Sequence, residues 1–233
     1  MAATGETLKQ RKWKIVSGMQ QHDQTFEGVM KVYQTWVKTY EEDLLDIGYQ
    51  AHILAAKYLA KQNVDINAKI LDVAAGTGLC AKELRDQYGY NNIDALDASY
   101  DMLQYAKQAD RYRNYYWAKI GRGDKAPFLD DSYDHITMAG GIAQGQIQVD
   151  AFLDMIRITK PGGYIVISTR EENRRKIPDY LSLDTTLQQH VDEGYWQRVE
   201  EAITPNYYMD LDGITWVFRV TKDKPVQGER TLF

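Results

Sequence analysis

Short apolar runs alternate with amphipathic segments through the centre of the chain. Apolar runs of about four to eight residues indicate strands, whereas apolar positions spaced three and four apart indicate helices. The pattern predicts strands at 69–73, 93–97, 114–119, 134–139 and 164–169. It predicts helices at 78–88, 99–109, 148–158 and 179–193. Strands that alternate with helices predict an α/β fold with a mostly parallel sheet and helices on both faces.

The N-terminal part of the chain precedes this alternation. Residues 1–22 are mostly polar and basic, and helical spacing predicts two helices, near 24–40 and 49–62. We expect these helices to form a lid, so that residues 1–62 make up a helical cap and residues 63–221 the core domain.

Two further strand-like runs close the core domain, near 198–208 and 214–221. Asp212-Gly213 lies just before the second run, and an Asp-Gly pair is typical of hairpin turns. We therefore predict a hairpin with its turn at this pair. Residues 222–233 then follow as an exposed tail.

The first predicted strand ends in an acid and then turns through glycines into a helix. Asp72 lies at the end of the strand, and Ala74, Gly76 and Gly78 lie in the turn. Glycine lacks a Cβ, so the backbone can turn sharply and approach a ligand closely. The following helix presents free N–H groups to that ligand. Asp97 closes the second strand, where its carboxylate can accept hydrogen bonds from a ribose. Together these features predict a site for an adenosine-containing cofactor.

Two classes of cofactor fit this segment. Gly76, Gly78 and Ala81 match the dinucleotide pattern G-x-G-x-x-A, and Asp97 matches the acid expected ~20 residues after it. That match would suit an NAD(P)-dependent oxidoreductase. Residues 72–78 also match D-x-A-x-G-x-G, the first motif of methyltransferases that use S-adenosylmethionine (SAM). The acid inside the motif and the short remaining chain favour this second alternative.

The chain resembles the class I SAM-dependent methyltransferases, and among them the methyltransferase-like family named after the Williams–Beuren syndrome region. The resemblance runs from Tyr33 to Val220 and rests on Asp72–Gly78, on Leu96–Ser99 with Met102 and Leu103, on Gly140–Gln146, and on Thr159–Gly163 with Ser168–Arg170. It implies a Rossmann-like, seven-stranded sheet in which the closing hairpin supplies one antiparallel strand. The family motif usually has glycine where this chain has Ala74. Alanine fits there without strain only if its φ is negative.

The resemblance also implies which residues hold the cofactor. The segment after the first strand would contact the methionyl part and the ribose, and Asp97 would bind the ribose. Tyrosines of the N-terminal segment often fold over SAM in such enzymes. The predicted cofactor contacts are Tyr33, Tyr40, Asp72, Ala74, Gly76, Gly78, Asp97, Ala98, Met102, Gly121, Arg122, Gly123 and Met138.

The loop after the third strand departs from the family pattern. Many relatives have an acid at the position of Arg122, where it accepts a hydrogen bond from the adenine amine. This chain has no acid there, so we expect Asp124 or the backbone of 121–123 to take its place. The altered positions Ala74 and Arg122 also keep open a catalytically silent relative that acts through a partner.

The acceptor is expected to bind after the fourth strand. Small residues occur there in place of the Asn/Asp-Pro-Pro-Tyr motif of enzymes that methylate DNA adenine or protein glutamine, which favours a small-molecule acceptor. Because no compelling base is visible, a nitrogen acceptor is favoured over oxygen. The predicted acceptor contacts are Gly141, Gln144, Tyr207 and Tyr208, although tyrosines also suit a sheet. The catalytic candidates are Tyr49, His52 and Gln144.

Composition narrows the remaining possibilities. A chain of 233 residues with 44% hydrophobic content can bury a large core. The net charge of −5 argues against a nucleic-acid partner. No apolar run approaches the ~20 residues that span a bilayer, so we expect no membrane association. The single cysteine, Cys80, fits a reducing, cytoplasmic location. Glu171 and Glu172 lack a matching acid after the fourth strand, so we expect no metal.

Overall fold

In the computed structural model, which describes residues 7–19 and 25–221, seven strands form one sheet. The strands are β1 (Ile70–Val73), β2 (Ile93–Asp97), β3 (Asn114–Trp117), β4 (His135–Ala139), β5 (Tyr164–Arg170), β6 (Trp196–Tyr208) and β7 (Leu211–Val220). Their order across the sheet is β3-β2-β1-β4-β5-β7-β6. Only β7 runs antiparallel to its neighbours β5 and β6. The predicted seven-stranded, mostly parallel sheet is therefore confirmed.

The strand order carries information about ligands. The order reverses direction between β1 and β4, and open α/β sheets bind ligands in the crevice at the carboxyl ends of the strands at such a point. The antiparallel β7 is inserted between β5 and β6. The usual dinucleotide-binding sheet has the order 3-2-1-4-5-6 without this insertion, so the topology departs from that of a dinucleotide-binding domain.

Helices precede the sheet and cover its faces. Before β1 lie α1 (Leu8–Met19), α2 (Phe26–Trp36), α3 (Tyr40–Asp46) and α4 (Ala51–Ala60). Among the strands lie α5 (Leu79–Tyr88), α6 (Tyr100–Gln108), α7 (Ala151–Ile158), α8 (Asn173–Lys176) and α9 (Leu183–Asp192), with a short 3₁₀ turn at Pro178–Tyr180. Within the described residues, every helix is too short or too polar to cross a lipid bilayer.

The alternation of side chains along β5 divides the core into two layers. Ile165 and Ile167 pack on one face of the sheet together with residues of α7 and α9. Val166 packs on the other face together with residues of α4, α5 and α6. All three side chains are fully buried, and each such burial contributes roughly 1.5–3 kcal/mol to folding. The sheet is thereby held rigidly beneath its carboxyl edge.

The last helix of the predicted cap is placed differently from the helices before it. The segment 1–62 includes α4, but α4 packs on the sheet rather than over the ligand crevice. Its Ala55, Ala56 and Leu59 are buried in the core layer that contains Val166. Within the described residues the lid consists of α1, α2 and α3. The tail predicted at 222–233 lies outside the described residues.

The lid contains two helices that the pattern did not predict. Residues 8–19 form α1, and the helix predicted at 24–40 ends at Trp36 before α3 begins. Asp43 explains both features, because its buried carboxylate accepts hydrogen bonds from Lys12 at 2.7 Å, Trp36 Nε1 at 2.8 Å and Thr39 at 2.8 Å. We call these four residues the Asp43 cluster. It joins α1, α2 and α3.

The closing hairpin forms, but its turn is displaced. The two strands meet at Met209 and Asp210, and Gly213 lies inside β7. A Cβ at position 213 would lie 2.2 Å from the ring of Tyr207. Glycine is therefore required at this position by the packing of Tyr207 and not by a turn. The prediction of a turn at Asp212-Gly213 is wrong for that reason.

Candidate functional site

Two neighbouring cavities with shared lining residues lie at the carboxyl edge of the sheet. The first, which we call the inner slot, has a volume of about 80 Å³ and lies over the ends of β1, β2 and β4. The second, the aromatic cavity, has a volume of about 390 Å³ and lies beside the end of β5. Four residues line both: Tyr33, Tyr40, Gly140 and Gln146. The two cavities thus share part of their walls, which includes two tyrosines of the lid.

Asp97 forms a fixed acceptor in the wall of the inner slot. Its Oδ2 accepts a hydrogen bond from the backbone N–H of Gly76 at 2.7 Å, and its Oδ1 accepts one from Ser99 at 2.7 Å. Burial raises the pKa of this carboxyl, while the backbone N–H groups oppose the shift. A carboxylate offers about four lone-pair sites, so capacity remains for two ribose hydroxyls.

The turn after β1 brings the backbone to the slot. Gly76 has φ +55°, and a Cβ at this position would meet no neighbouring atom, so its open side is available to a ligand. Gly78 has a different function, because a Cβ there would lie 2.8 Å from the side chain of Arg111. Gly78 is therefore required for packing. Ala74 adopts φ +55°, so the condition for an unstrained alanine is not met and the residue lies in the left-handed region.

The apolar walls of the slot suit a flat ring. Leu96 and Ile120 lie in its wall with Ala98 and Met102, and Phe26 of α2 closes the outer side. Together with the Asp97 carboxylate and the open backbone at Gly76, these groups fit the adenosine part of SAM.

Asp72 lies below the slot and not in its wall. It is only 1% exposed, and its two oxygens accept hydrogen bonds from the Tyr112 hydroxyl at 2.7 Å and from Thr137 at 2.8 Å. Burial raises the pKa of Asp72 to about 7. This arrangement ties β1 to β4 and to the residues before β3. The predicted cofactor contacts that do not line the slot are Asp72, Gly78, Gly123 and Met138.

The loop after β3 is held by an acid that the pattern did not predict. The carboxylate of Asp150 accepts hydrogen bonds from the backbone N–H groups of Arg122 and Gly123, both at 3.0 Å. The guanidinium of Arg122 donates to the carbonyl of Gln146. Gly121 and Arg122 line the slot, whereas Asp124 is exposed and does not. Of the two expected replacements for the missing family acid, the segment 121–123 contributes to the wall of the slot and Asp124 does not.

Among the described residues, seven aromatic side chains line the second cavity. They are Trp13, Tyr33, Trp36, Tyr40, Tyr49, Tyr207 and Tyr208. Tyr49 lies at the junction with the slot, because a Cβ on Gly140 would lie 2.0 Å from its hydroxyl. The ring of Tyr207 lies 5.6 Å from that of Tyr49 and nearly perpendicular to it. The predicted acceptor contacts Gln144, Tyr207 and Tyr208 line this cavity, whereas Gly141 does not.

His52 is buried beneath this cavity. Its ring stacks on Tyr49 with 5.9 Å between centroids, but it does not line either cavity. Burial lowers the pKa of His52 to about 4, so the imidazole is neutral at physiological pH. His52 therefore lies outside both cavities, whereas the other catalytic candidates, Tyr49 and Gln144, lie at the wall of the aromatic cavity.

The polar residues of the cavity include Gln146, which the sequence suggests as a donor to a substrate, and others that were not among the predicted contacts, such as Arg170, Glu172 and Asn173. Gln146 donates a hydrogen bond to the Tyr33 hydroxyl at 2.5 Å, and Asn173 donates to the carbonyl of Ile142 at 2.6 Å. Arg170 and Glu172 also line the cavity. Arg170 ends β5, so the rule that ligands bind at the carboxyl ends of strands would have found it. Within residues 7–19 and 25–221, no three His, Cys, Asp or Glu side chains are placed to hold a metal ion.

Comparisons with known proteins agree with this geometry. Residues 70–163 match the family model of a methyltransferase domain. The chain is 30% identical over 167 residues to human methyltransferase-like protein 27, an alignment that covers 71% of this chain and 66% of that protein. It is 30% identical over 142 residues to the demethylmenaquinone methyltransferase of Staphylococcus haemolyticus, covering 60% of this chain and 59% of that protein. The chain thus spans less than two thirds of each relative.

A solved structure shares the fold. The methyltransferase chain bound to the Trm112 methyltransferase activator of Haloferax volcanii superposes with a TM-score of 0.61. The match covers 81% of this chain and 97% of that chain at 17% identity. These comparisons favour methyl transfer over the NAD(P)-dependent alternative.

Proposed function

Because the chain belongs to the class I SAM-dependent methyltransferases, we propose that it transfers a methyl group from SAM to a small-molecule acceptor in the aromatic cavity. One observation carries this proposal: the inner slot and the aromatic cavity meet at Gly140, beneath the lid tyrosines Tyr33 and Tyr40. A cofactor in the slot and an acceptor in the cavity would therefore face each other across Gly140.

The residues of the slot suit the binding of SAM, the cofactor of this family. SAM supplies a methyl group that is already activated by its positively charged sulfonium. Asp97 accepts hydrogen bonds from the ribose, and the apolar walls enclose the adenine. Gly76 leaves the backbone accessible. What remains for the protein is to align the two ligands and exclude water, which is the function we assign to the lid.

We propose nitrogen as the acceptor atom. Among the described cavity residues, the tyrosines are poor bases at neutral pH, because burial raises the pKa of Tyr33, Tyr40, Tyr49 and Tyr207 and keeps their hydroxyls protonated. Glu172 is engaged by Lys176 at 2.6 Å. A neutral amine attacks through its free lone pair, whereas a hydroxyl is a weak nucleophile until a base removes its proton, and the described cavity residues offer no such base. The small volume and aromatic walls also favour a small molecule over a macromolecular acceptor.

The proposal is tested by methyl transfer from SAM that carries an isotopic label on the methyl group. Small amines, phenols and carboxylic acids are offered as acceptors, and we expect labelled product with an amine. Asp97→Ala should lower SAM affinity by about 100-fold or more, because two hydrogen bonds to a charged group are lost. Asp86→Ala serves as the matched control, since Asp86 lies on the exposed face of α5. SAM binding without transfer to any acceptor would instead support the catalytically silent alternative.

A further inference from the structure

The guanidinium of Arg170 lines the aromatic cavity, and its hydrogen-bond donors are not used within the described part of the fold. It ends β5 and its side chain is only 17% exposed. Within the described part of the chain, this side chain donates no hydrogen bond; its contacts are an ion pair with Glu172 at 3.6 Å and a stacking contact with Tyr208 at 5.8 Å. A guanidinium carries five N–H donors in a planar fork. Such donors are normally satisfied when they are withdrawn from water.

The charges around Arg170 leave an excess of positive charge. Among the described residues that line the cavity, only Arg170, Glu172 and Lys176 carry formal charges. Glu172 binds Lys176 through Oε2 at 2.6 Å and faces Arg170 through Oε1 at 3.6 Å. One carboxylate thus faces two cations, so the three side chains sum to +1. The walls that surround this charge are aromatic, and apolar surroundings strengthen its attraction for an anion.

We propose that the methyl acceptor carries an anionic group, a carboxylate or a phosphate, which binds the guanidinium of Arg170. This inference rests on the proposed function and names the substrate class of the same site. A planar guanidinium matches two oxygens of a carboxylate or phosphate. The acceptor would then lie between the aromatic rings, with its anionic end at β5 and its reacting atom toward Gly140.

Two other functions of Arg170 explain less. A purely structural function would leave the donor fork to water, since the described residues supply it with no hydrogen-bond acceptor. A contact with the carboxylate of SAM is the second alternative. Arg170 lines the aromatic cavity but not the inner slot, whereas Tyr33 and Tyr40 line both and lie nearer the cofactor. The two alternatives predict different effects of an Arg170 substitution on cofactor affinity.

Simple aromatic probes test the proposal. The full-length protein is saturated with S-adenosylhomocysteine and titrated calorimetrically with benzoate, phenyl phosphate and the neutral benzamide. All three probes carry a ring for the aromatic walls, but only the first two carry an anion. We expect at least one anion to bind about 10-fold or more tightly than benzamide, and the ratio between benzoate and phenyl phosphate identifies the preferred group.

Substitutions then locate the charge that is responsible. Arg170→Gln should abolish the preference for the anion, and Arg170→Lys should retain only part of it because the planar fork is lost. Arg198→Gln is the matched control, because Arg198 also stacks on an aromatic ring, Phe218 at 5.9 Å, but does not line the cavity. We expect the control to bind every probe like the unmodified protein. Since Arg170 donates no hydrogen bond within the fold, its variants should unfold at the same temperature as the control.

Three results would overturn the inference. The first is equal binding of benzoate, phenyl phosphate and benzamide, or no binding of any of them. The second is an anion preference that persists in Arg170→Gln. The third is a loss of S-adenosylhomocysteine affinity in that variant, which would assign Arg170 to the cofactor. Absence of S-adenosylhomocysteine binding to the unmodified protein would be a different result, since it would contradict the proposed function itself.

Discussion

Ala74 shows how a single residue can depart from a family pattern while the turn keeps its shape. The turn after β1 requires φ +55° at this position, where a Cβ crowds the following carbonyl. The alanine accepts the cost because the neighbouring parts of the turn are fixed. The backbone N–H of Ala75 donates to the carbonyl of Leu96, and that of Gly76 donates to Asp97. Alanine at position 74 therefore lowers the stability of the protein but has less effect on the shape of the inner slot.

Replacing Ala74 with glycine should therefore stabilise the protein. Relief of the left-handed strain gains roughly 1–2 kcal/mol, and the added freedom of glycine in the unfolded chain costs roughly 0.5–1 kcal/mol. We expect the free energy of unfolding, measured with urea, to increase by up to about 1 kcal/mol. Ala75→Gly is the matched control at the next position, where φ is not positive, and it should destabilise. Equal destabilisation by the two substitutions would show that Ala74 is not strained.

His52 should influence stability and not chemistry. Its pKa in the folded protein is about 4, below the ordinary value of 6.5, so the native state binds fewer protons than the unfolded chain between these values. Its contribution to stability is complete above pH 6.5 and declines as pH falls toward 4, by about 1.4 kcal/mol per pH unit. His52→Phe should flatten this decline in urea unfolding at pH 6.5 and pH 5. If His52→Phe also lowered the affinity for the cofactor, this result would contradict the position of His52 beneath the cavity.

At the scale of elements, a glycine in the loop after β4 allows that loop to pack closely against Tyr49, which follows the lid helix α3. Because Gly140 has no Cβ, the hydroxyl of Tyr49 can lie against its backbone at the junction of the two cavities. Gly123 also has a positive φ, but a Cβ there would meet no neighbour. Comparing substitutions at the two glycines therefore distinguishes the cost of a positive φ from the cost of steric contact with Tyr49.

Gly140→Ala should destabilise the protein more than Gly123→Ala. Both pay roughly 1–2 kcal/mol for the left-handed conformation, and Gly140→Ala pays about 1–3 kcal/mol more for the clash with Tyr49. In a Tyr49→Phe background most of this excess should vanish, because the next ring atom lies at 3.4 Å from the added Cβ. The measurement is the free energy of unfolding in urea for Gly140→Ala, Gly123→Ala, Tyr49→Phe and the double variant Gly140→Ala with Tyr49→Phe. An excess that survives in the Phe background would mean that Tyr49 does not occupy the junction.

The Asp43 cluster should control the opening of the lid. Burial raises the pKa of Asp43, but hydrogen bonds from Lys12, Thr39 and Trp36 outweigh it and lower the pKa below the ordinary 3.8. Its contribution is therefore present above that value and is lost as pH falls through the lower, folded-state pKa. Asp43→Asn should speed hydrogen exchange of the α1 amides by about 10-fold or more at neutral pH, because the ion pair is lost. Glu42→Gln, which removes an exposed partner of the same Lys12, should change exchange little.

The pattern of apolar residues predicts the elements that are held by apolar burial. It misses the elements that depend on one specific contact with a distant residue. The strands β1, β2, β4 and β5 are buried on both faces, so their apolar runs identify them. The helix α1 is polar, and it is held by Lys12 through a carboxylate 31 residues away. Gly213 looks like a turn residue, but Tyr207 determines its use. Arg170 could have been predicted from its place at the end of β5, but its lack of hydrogen bonds within the described residues is visible only in the folded chain.

At the scale of the molecule, a rigid sheet carries a site whose two halves have different origins. The inner slot is built from the loops after β1, β2 and β3, which the glycine motif predicts. The aromatic cavity joins the lid to β5, β6 and the loop after β4. The glycine motif thus predicts the cofactor half, whereas the acceptor half depends on contacts between distant parts of the chain, above all those of Tyr49 and Arg170.

The most direct test of the account is a calorimetric titration of the protein with S-adenosylhomocysteine, with oxidised NAD as the control ligand. The account predicts saturable binding of S-adenosylhomocysteine at one site per chain, no binding of NAD, and loss of the first in Asp97→Ala. Binding of NAD, or unchanged binding of S-adenosylhomocysteine by Asp97→Ala, would contradict the assignment of the inner slot.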